Sequence, residues 1–385
     1  MSIARPPTLL LMFLVLLHLP ATIVHADASC SSNGSQESKA LGPQSTIAIL
    51  VEFRDLRHQR SKEDIASDVF QRLNIYVTET SYNSSWIVGD LTDWFELRSE
   101  RSYYGRDFGP FIDVEIRALI ADSVRAVDPA VDFRLYKHII LVHAGLGQET
   151  SGDPSDIWSG YITCNPPLYA DGVMLRNVII IPESEAREID PLGIYAHEFM
   201  HSLGLPDLYP DSTLRKSNHM GAWDIMDKGL RNGEPKGSSP AHPSAWSKMM
   251  LGWPINMKTV YSGSMEEITV GPLESKNEYT QAVILPIVPG KYYIIEVRLQ
   301  AGFDGSLPSK GVIVVAVDER RTPTGGMVKV VDADPSTPEL NNAALQVGQS
   351  YFDGPKLVRI KVTAETEEGF KVLVDRKINS ELSVE

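Results

Sequence analysis

The sequence predicts a mixed α/β domain followed by an all-β domain of the sandwich type. Three observations carry this. Apolar runs of strand length recur between residues 47 and 183, with a helical pattern among them. After Trp253-Pro254 short β-rich runs follow at close spacing, punctuated by Gly, Pro, Asn and Asp. A chain of 385 residues is also too long for one hydrophobic core. The expected domains are residues 46–255 and 256–385.

The elements follow in chain order. Residues 1–28 combine an early cation, Arg5, an apolar run from Leu9 to Leu17 and a small-residue exit ending at Ala28. This is the pattern of a signal peptide. The run is shorter than the roughly 20 apolar residues of a membrane span. A secreted, extracellular protein with no stable membrane insertion is expected. Residues 29–45 are polar and read as a flexible arm. Ile47–Phe53 is a buried-strand run. Residues 112–127 place Ile112, Ile116, Leu119, Ile120 and Val127 on one helical face before Pro129. His138–Gly145 and Val173–Glu183 are further buried-strand runs. Beyond residue 255 come EEITV, YTQAVILPI, YYIIEVRL, GVIVVAV, MVKVV, LVRIKVTA and GFKVLVD.

The net charge is −14 and no basic cluster stands out along the chain, which argues against a nucleic-acid partner. The two cysteines, Cys30 and Cys164, are expected to form one disulfide in an exported chain. A Cys30 thiolate capping a metal ion is the rival reading. Asn33 and Asn83 begin N-glycosylation acceptor triplets.

The stretch His197–Tyr209, HEFMHSLGLPDLY, concentrates the chemistry. Asp190 as N-cap and Pro191 at the first helical position start a helix. Gly204 ends it and Pro206 prevents its continuation. His197 and His201, four apart, share one helical face. Such a pair reaches one metal ion at about 2.0–2.1 Å from each imidazole. Glu198 projects beside them, placed to accept a proton from water. A catalytic zinc that keeps one position open needs a third protein ligand. Asp207, three residues past Gly204, completes H-E-x-x-H-x-x-G-x-x-D, the metzincin spacing with aspartate in place of the third histidine. Asp211, His219 and Asp224 are its rivals. Met226, in GAWDIMDKG, suits a methionine turn beneath the metal, with plain core filling as its alternative.

These stretches resemble the immune inhibitor A type of secreted zinc metallopeptidases, as do HAGLGQETSGDPSDIWSG (143–160) and YYIIEVRLQAGFDGSLPSKGVIVVAVDE (292–319). The resemblance covers most of residues 45–375. It implies a zincin-like catalytic domain, zinc at His197 and His201, and Glu198 as the catalytic carboxylate. It also implies structural calcium, to which no residues are assigned. Astacin-like and serralysin-like metzincins carry a tyrosine two residues after the turn methionine, where this chain has Lys228. An oxyanion donor then comes from elsewhere, with Tyr209 and His219 as candidates.

The resulting expectation is a zinc-dependent endopeptidase that hydrolyses peptide bonds through a zinc-activated water, with Glu198 as general base. Extended polypeptides are the expected substrates, adding as a strand to an edge supplied by Val173–Glu183. The rival is a catalytically inactive zincin-fold adhesin or binding module. A purely structural zinc asks for four protein ligands and has no use for Glu198.

Overall fold

The computed structural model describes residues 40–210, 218–332, 334, 336 and 339–376. The expected signal peptide, Cys30, Asn33 and Asp211 lie outside the described residues, as does most of the arm.

Among the described residues the architecture is mixed α/β, with three sheets and few helices. The first sheet contains β1 (Gly42–Glu52), β2 (Ser85–Glu96), β3 (His138–Leu146), β4 (Gly160–Ala170) and β5 (Val173–Ser184). Its order is β2-β1-β3-β5-β4. All neighbours run parallel except β4, which pairs antiparallel with β5. The continuous apolar runs have a direct cause: β1, β3 and β5 are covered on both faces. Ala48, Leu50, Ile140 and Val142 face one core, and Ile47, Ile49, Ile139 and Leu141 face the other. This is the alternation of period two expected of strands.

Helices cover both faces. On one lie α1 (Lys62–Ser67) and α2 (Asn74–Thr80), joined by a π-helical stretch at Asp68–Leu73. A capping box starts α1: Asp64 N–H donates to Ser61 Oγ at 3.1 Å, and Ser61 N–H donates back to Asp64 at 3.0 Å. After the short α3 (Arg101–Tyr104), α4 (Ile116–Val127) packs on the opposite face through Leu119, Ile120, Val124 and Val127. The short α5 (Gln148–Ser151) precedes β4, and α6 (Leu192–Leu203) returns to the first face.

Three expectations need correction. The helix expected over 112–127 begins only at Ile116, because Asp113 has φ +50° and breaks the helical path. Residues 42–45, read as flexible arm, belong to β1, where pairing with β2 holds them. Val173–Glu183 is not the edge strand: β5 lies between β3 and β4, and β4 is the edge.

Beyond α7 (Ala245–Met250) the chain is β-rich. It continues through β6 (Met257–Thr259), β7 (Met265–Val270), β8 (Ala282–Val288), β9 (Lys291–Arg298), β10 (Gly311–Asp318), β11 (Val328–Val330), β12 (Ser350–Asp353), β13 (Val358–Thr366) and β14 (Gly369–Asp375). One sheet has the order β11-β10-β9-β8-β6 and the other β12-β13-β14-β7. Val283, Ile295 and Val314 from the first share a core with Ile360, Phe370 and Val372 from the second. The first sheet also has a second buried face. Ile294, Ile313, Val315 and Val328 join the same core as Trp223, Met226 and Trp253. The apolar interior therefore continues across residue 255.

A buried charge cluster crosses the same junction. Arg298 is fully buried and donates to Asp304 at 2.6 Å, to Glu296 at 3.1 Å and to the carbonyl of Trp223 at 2.7 Å. Glu296 accepts from the N–H of Ala245, and Asp304 from the N–H of His242, at 2.8 and 2.9 Å. Each ion thus has a partner, as burial demands.

Candidate metal centre

Helix α6 positions the two histidines. Asp190 Oδ1 accepts from Leu192 N–H at 2.9 Å, while Arg72 fixes its other oxygen at 2.5 Å. The capping expected of Asp190 is made, with the assigned helix starting one residue later than Pro191. Gly193 lets the helix lie against the next loop, since a Cβ there would sit 2.0 Å from the Leu230 carbonyl oxygen. At the other end Gly204 takes φ +118°. Gly204 N–H then donates to the His201 carbonyl, and Leu205 N–H to that of Met200, so the chain doubles back.

That reversal brings Asp207 to the histidines. Asp207 Oδ1 lies 3.3 Å from His197 Nε2 and 3.1 Å from His201 Nε2. Four ligands at about 2.0–2.1 Å around a tetrahedral zinc stand about 3.3–3.4 Å apart. The observed separations are therefore close to those of a coordination shell. Asp207 Oδ1 is buried and meets no hydrogen-bond donor in favourable geometry, so its lone pair is uncommitted. Burial would raise the Asp207 carboxyl, but the two imidazoles outweigh it and hold the group well below the usual carboxylate range. These are the donor types and the spacing that zinc takes.

Backbone carbonyls orient both imidazoles. His197 Nδ1 lies 2.9 Å from the Ile225 carbonyl oxygen, and His201 Nδ1 lies 2.8 Å from that of Leu205. A carbonyl accepts only, so each proton is assigned to Nδ1 and each Nε2 keeps a lone pair for a cation. Ile225 immediately precedes Met226, which is fully buried and whose carbonyl accepts from Leu208 N–H at 2.8 Å. The methionine segment thus underpins both His197 and the loop carrying Asp207.

Glu198 shares this space. An oxygen of Glu198 and one nitrogen from each histidine lie within 4.8 Å of one another. Burial pushes the Glu198 carboxyl up to about 8, the His197 ring opposes this, and Asp207 and Glu149 add to it. Its Oε2 is buried without a hydrogen-bond partner, and the nearby main chain of Tyr161 opposes part of the upward push.

The remaining candidates divide. Burial, together with the Asp207 charge beside it, pushes the Tyr209 hydroxyl well above its usual range, and its ring stacks 6.4 Å from that of His197. Asp224 is committed elsewhere: it accepts from Met226 N–H, Ser244 N–H and Ser247 Oγ, each at 2.8 Å. His219 is buried, with Nδ1 3.0 Å from the Leu208 carbonyl oxygen. Cys164 is buried in β4 and forms no disulfide among the described residues. Two neighbours of Glu198 went unread in the sequence: Glu149, and Tyr161 on β4, whose ring stacks 6.2 Å from that of His201. Both come from elements remote from the histidine helix in sequence. The sequence signal for Glu149 is the stretch 143–160 that carries the resemblance, which ends one residue before Tyr161.

Comparison with known proteins matches residues 132–256 to the family described as immune inhibitor A peptidase M6, catalytic domain. Immune inhibitor A of Bacillus thuringiensis subsp. alesti is 27% identical over 214 residues, covering 45% of this chain and 30% of that protein. The pre-pro-metalloprotease PrtV of Vibrio cholerae serotype O1 (strain M66-2) is 24% identical over 241 residues, covering 54% of this chain and 26% of that protein. The chain thus spans less than a third of the length of these relatives. Among solved structures, wild-type OgpA from Akkermansia muciniphila is 9% identical and covers 78% of this chain and 95% of its own, with a TM-score of 0.36. The matched residues 132–256, which hold both histidines, Glu198, Asp207 and Met226, are thus similar to the catalytic domain of immune inhibitor A type metallopeptidases.

Proposed function

We propose that the protein is a secreted zinc-dependent endopeptidase. Its catalytic unit is a zincin-like domain over residues 46–255, completed by a β-sandwich over 256–385. The observation that carries this is the convergence of His197, His201 and Asp207 at ligand-to-ligand distances beside a buried Glu198. A binding module has no use for that fourth group. The expected export signal supports secretion, and no helix among the described residues is long and apolar enough to cross a membrane.

His197, His201 and Asp207 would hold zinc, which would supply Lewis-acid activation of the scissile carbonyl and of the attacking water. The chain does the rest. Glu198 accepts the proton of the attacking water and delivers it to the leaving amine. The main chain of Tyr161 lies beside Glu198 and favours its charged, proton-accepting form. Tyr209 lies beside Asp207 and packs its ring against that of His197. Strand β4, at the end of its sheet, offers main-chain groups to an extended substrate. This mode reads backbone more than side chains, so broad sequence tolerance follows. No residues here are assigned to calcium.

A casein zymogram tests the reading. Clearing that is lost with a zinc chelator and restored by zinc is expected. Clearing that persists under chelation, or none in the zinc-loaded protein, sinks it.

A further inference from the structure

A pocket of about 240 Å³ opens at the end of the C-terminal sheets, where β9 begins and β10 ends. Tyr292 and Tyr293 line it, and Lys291, Arg321, Lys329 and Lys356 bring four cations to it. Asp318 is the one acid in the lining. That carboxylate is already shared: Lys291 lies 2.9 Å away, Arg320 2.8 Å and Arg321 3.6 Å. Lys356 is held by Asp353 at 2.7 Å and donates to the Tyr293 hydroxyl at 2.8 Å. Lys329 has no carboxylate partner among the described residues, and burial with Arg321 nearby makes its proton easier to lose. Glu319 also reaches the rim, accepting from the Tyr292 hydroxyl at 3.1 Å, so Lys291, Arg320, Arg321, Lys329 and Lys356 face three acids, Asp318, Glu319 and Asp353, and a local surplus of positive charge remains in a chain whose net charge is −14. These cations are scattered through the sequence, which is why no basic cluster is visible there.

The pocket also adjoins the metal-ligand loop. Gly326 lines it, and a Cβ there would lie 3.2 Å from His219 Nε2. Val330 N–H donates to the His219 carbonyl at 2.8 Å, and His219 Nδ1 lies 3.0 Å from the carbonyl oxygen of Leu208, next to Asp207.

We propose that this pocket binds an acidic group of the polypeptide substrate, a carboxylate or a phosphate or sulfate ester, away from the scissile bond. The tyrosine walls admit an acid-bearing side chain, and the cations steer and hold it. The proposal rests on the peptidase reading, so its test begins with binding, which is independent of turnover.

A fluorescently labelled peptide carrying six consecutive glutamates, and its glutamine counterpart, are titrated with the full chain by anisotropy. The wild type is expected to favour the glutamate peptide about five- to tenfold, as two or three partly exposed charge contacts allow. Arg321→Gln/Lys329→Gln should erase that preference. Equal affinity of the wild type for both peptides overturns the proposal. Sulfate or inorganic phosphate that binds the wild type but not the variant, with no preference between peptides, makes this a free-anion site and also overturns it. In hydrolysis assays the variant should raise KM for an acid-bearing substrate, leaving its kcat and the turnover of a neutral substrate unchanged. Equal losses on both substrates assign the cations a structural role and overturn the proposal. If neither substrate is hydrolysed by wild type, the peptidase reading fails and the anisotropy result alone decides.

Discussion

Replacing Asp207 by alanine removes the oxygen that stands 3.1 and 3.3 Å from the two imidazole nitrogens. Its effect on zinc follows from the size of the whole site. Structural zinc sites bind with about 10–16 kcal/mol in total. Divided over four ligands, one donor accounts for about 2.5–4 kcal/mol, or roughly 10²- to 10³-fold in Kd. That exceeds most of the 10–100-fold range typical of groups that only orient ligands. The variant is expected to lose zinc on dialysis against a weak chelator that leaves the wild type loaded, as read by atomic absorption. Circular dichroism checks that both remain folded. Asp211→Ala, His219→Ala and Asp224→Ala are expected to keep stoichiometric zinc, although Asp224→Ala should lower stability by freeing three buried donors. If Asp207→Ala retains zinc and one of the other three loses it, the ligand set fails and that residue replaces Asp207.

Glu198→Gln is expected to keep zinc and to abolish peptide hydrolysis; turnover within a few-fold of wild type removes Glu198 as the base. Asp113 gives a pH signature: burial pushes its carboxyl from 3.8 up to about 7. A raised carboxyl contributes stability below pH 3.8 that is lost as pH rises through 7, about 4 kcal/mol by pH 8. Asp113→Asn keeps an acceptor for the Trp158 N–H and should therefore gain up to that amount at pH 8 and little at pH 4; equal denaturation midpoints at pH 8 count against it. Arg298→Met leaves Glu296 and Asp304 buried without their cation and should cost about 3–5 kcal/mol in urea titrations, so a change below 1 kcal/mol contradicts the network. Thiol counting on denatured, unreduced protein is expected to find Cys30 and Cys164 oxidised to each other, and two free thiols exclude that bridge.

What the sequence reveals depends on whether one segment carries its own signal. Strands β1, β3 and β5 are legible because burial on both faces turns each into an unbroken apolar run. Strand β2 is not: Gly89, Asp90 and Asp93 interrupt it, and much of it is exposed. Strand β4 hides behind Pro166 and Pro167. The helical stretch over 62–80 had a readable start in Ser61 and Asp64, which went unread. The histidine helix and its glycine stop are legible because the relevant contacts are local. The edge position of β4 is not, because strand order is a long-range property. The change of character near residue 255 is visible, yet the shared core is not, since it pairs residues such as Trp223 and Ile313 from opposite sides of that point.

The apolar interior and the Arg298 cluster spanning residue 255 bear on how the proposed peptidase would survive among copies of itself. Proteolysis in trans selects chains that open locally, because a cleft that reads extended backbone needs several residues freed from their packing. Two loosely joined halves would part often and expose the connection between them. Here parting them strips Arg298 from the Trp223 carbonyl, Asp304 from the His242 N–H and Glu296 from the Ala245 N–H, and uncovers the face of β9 and β10 that meets Trp223. The halves are therefore expected to exchange their slowest amide protons at one common rate. On the proposed peptidase reading, self-digestion at the junction then tracks global unfolding, and the protein's lifetime at high concentration is set by the same contacts that hold the Asp207 loop in shape.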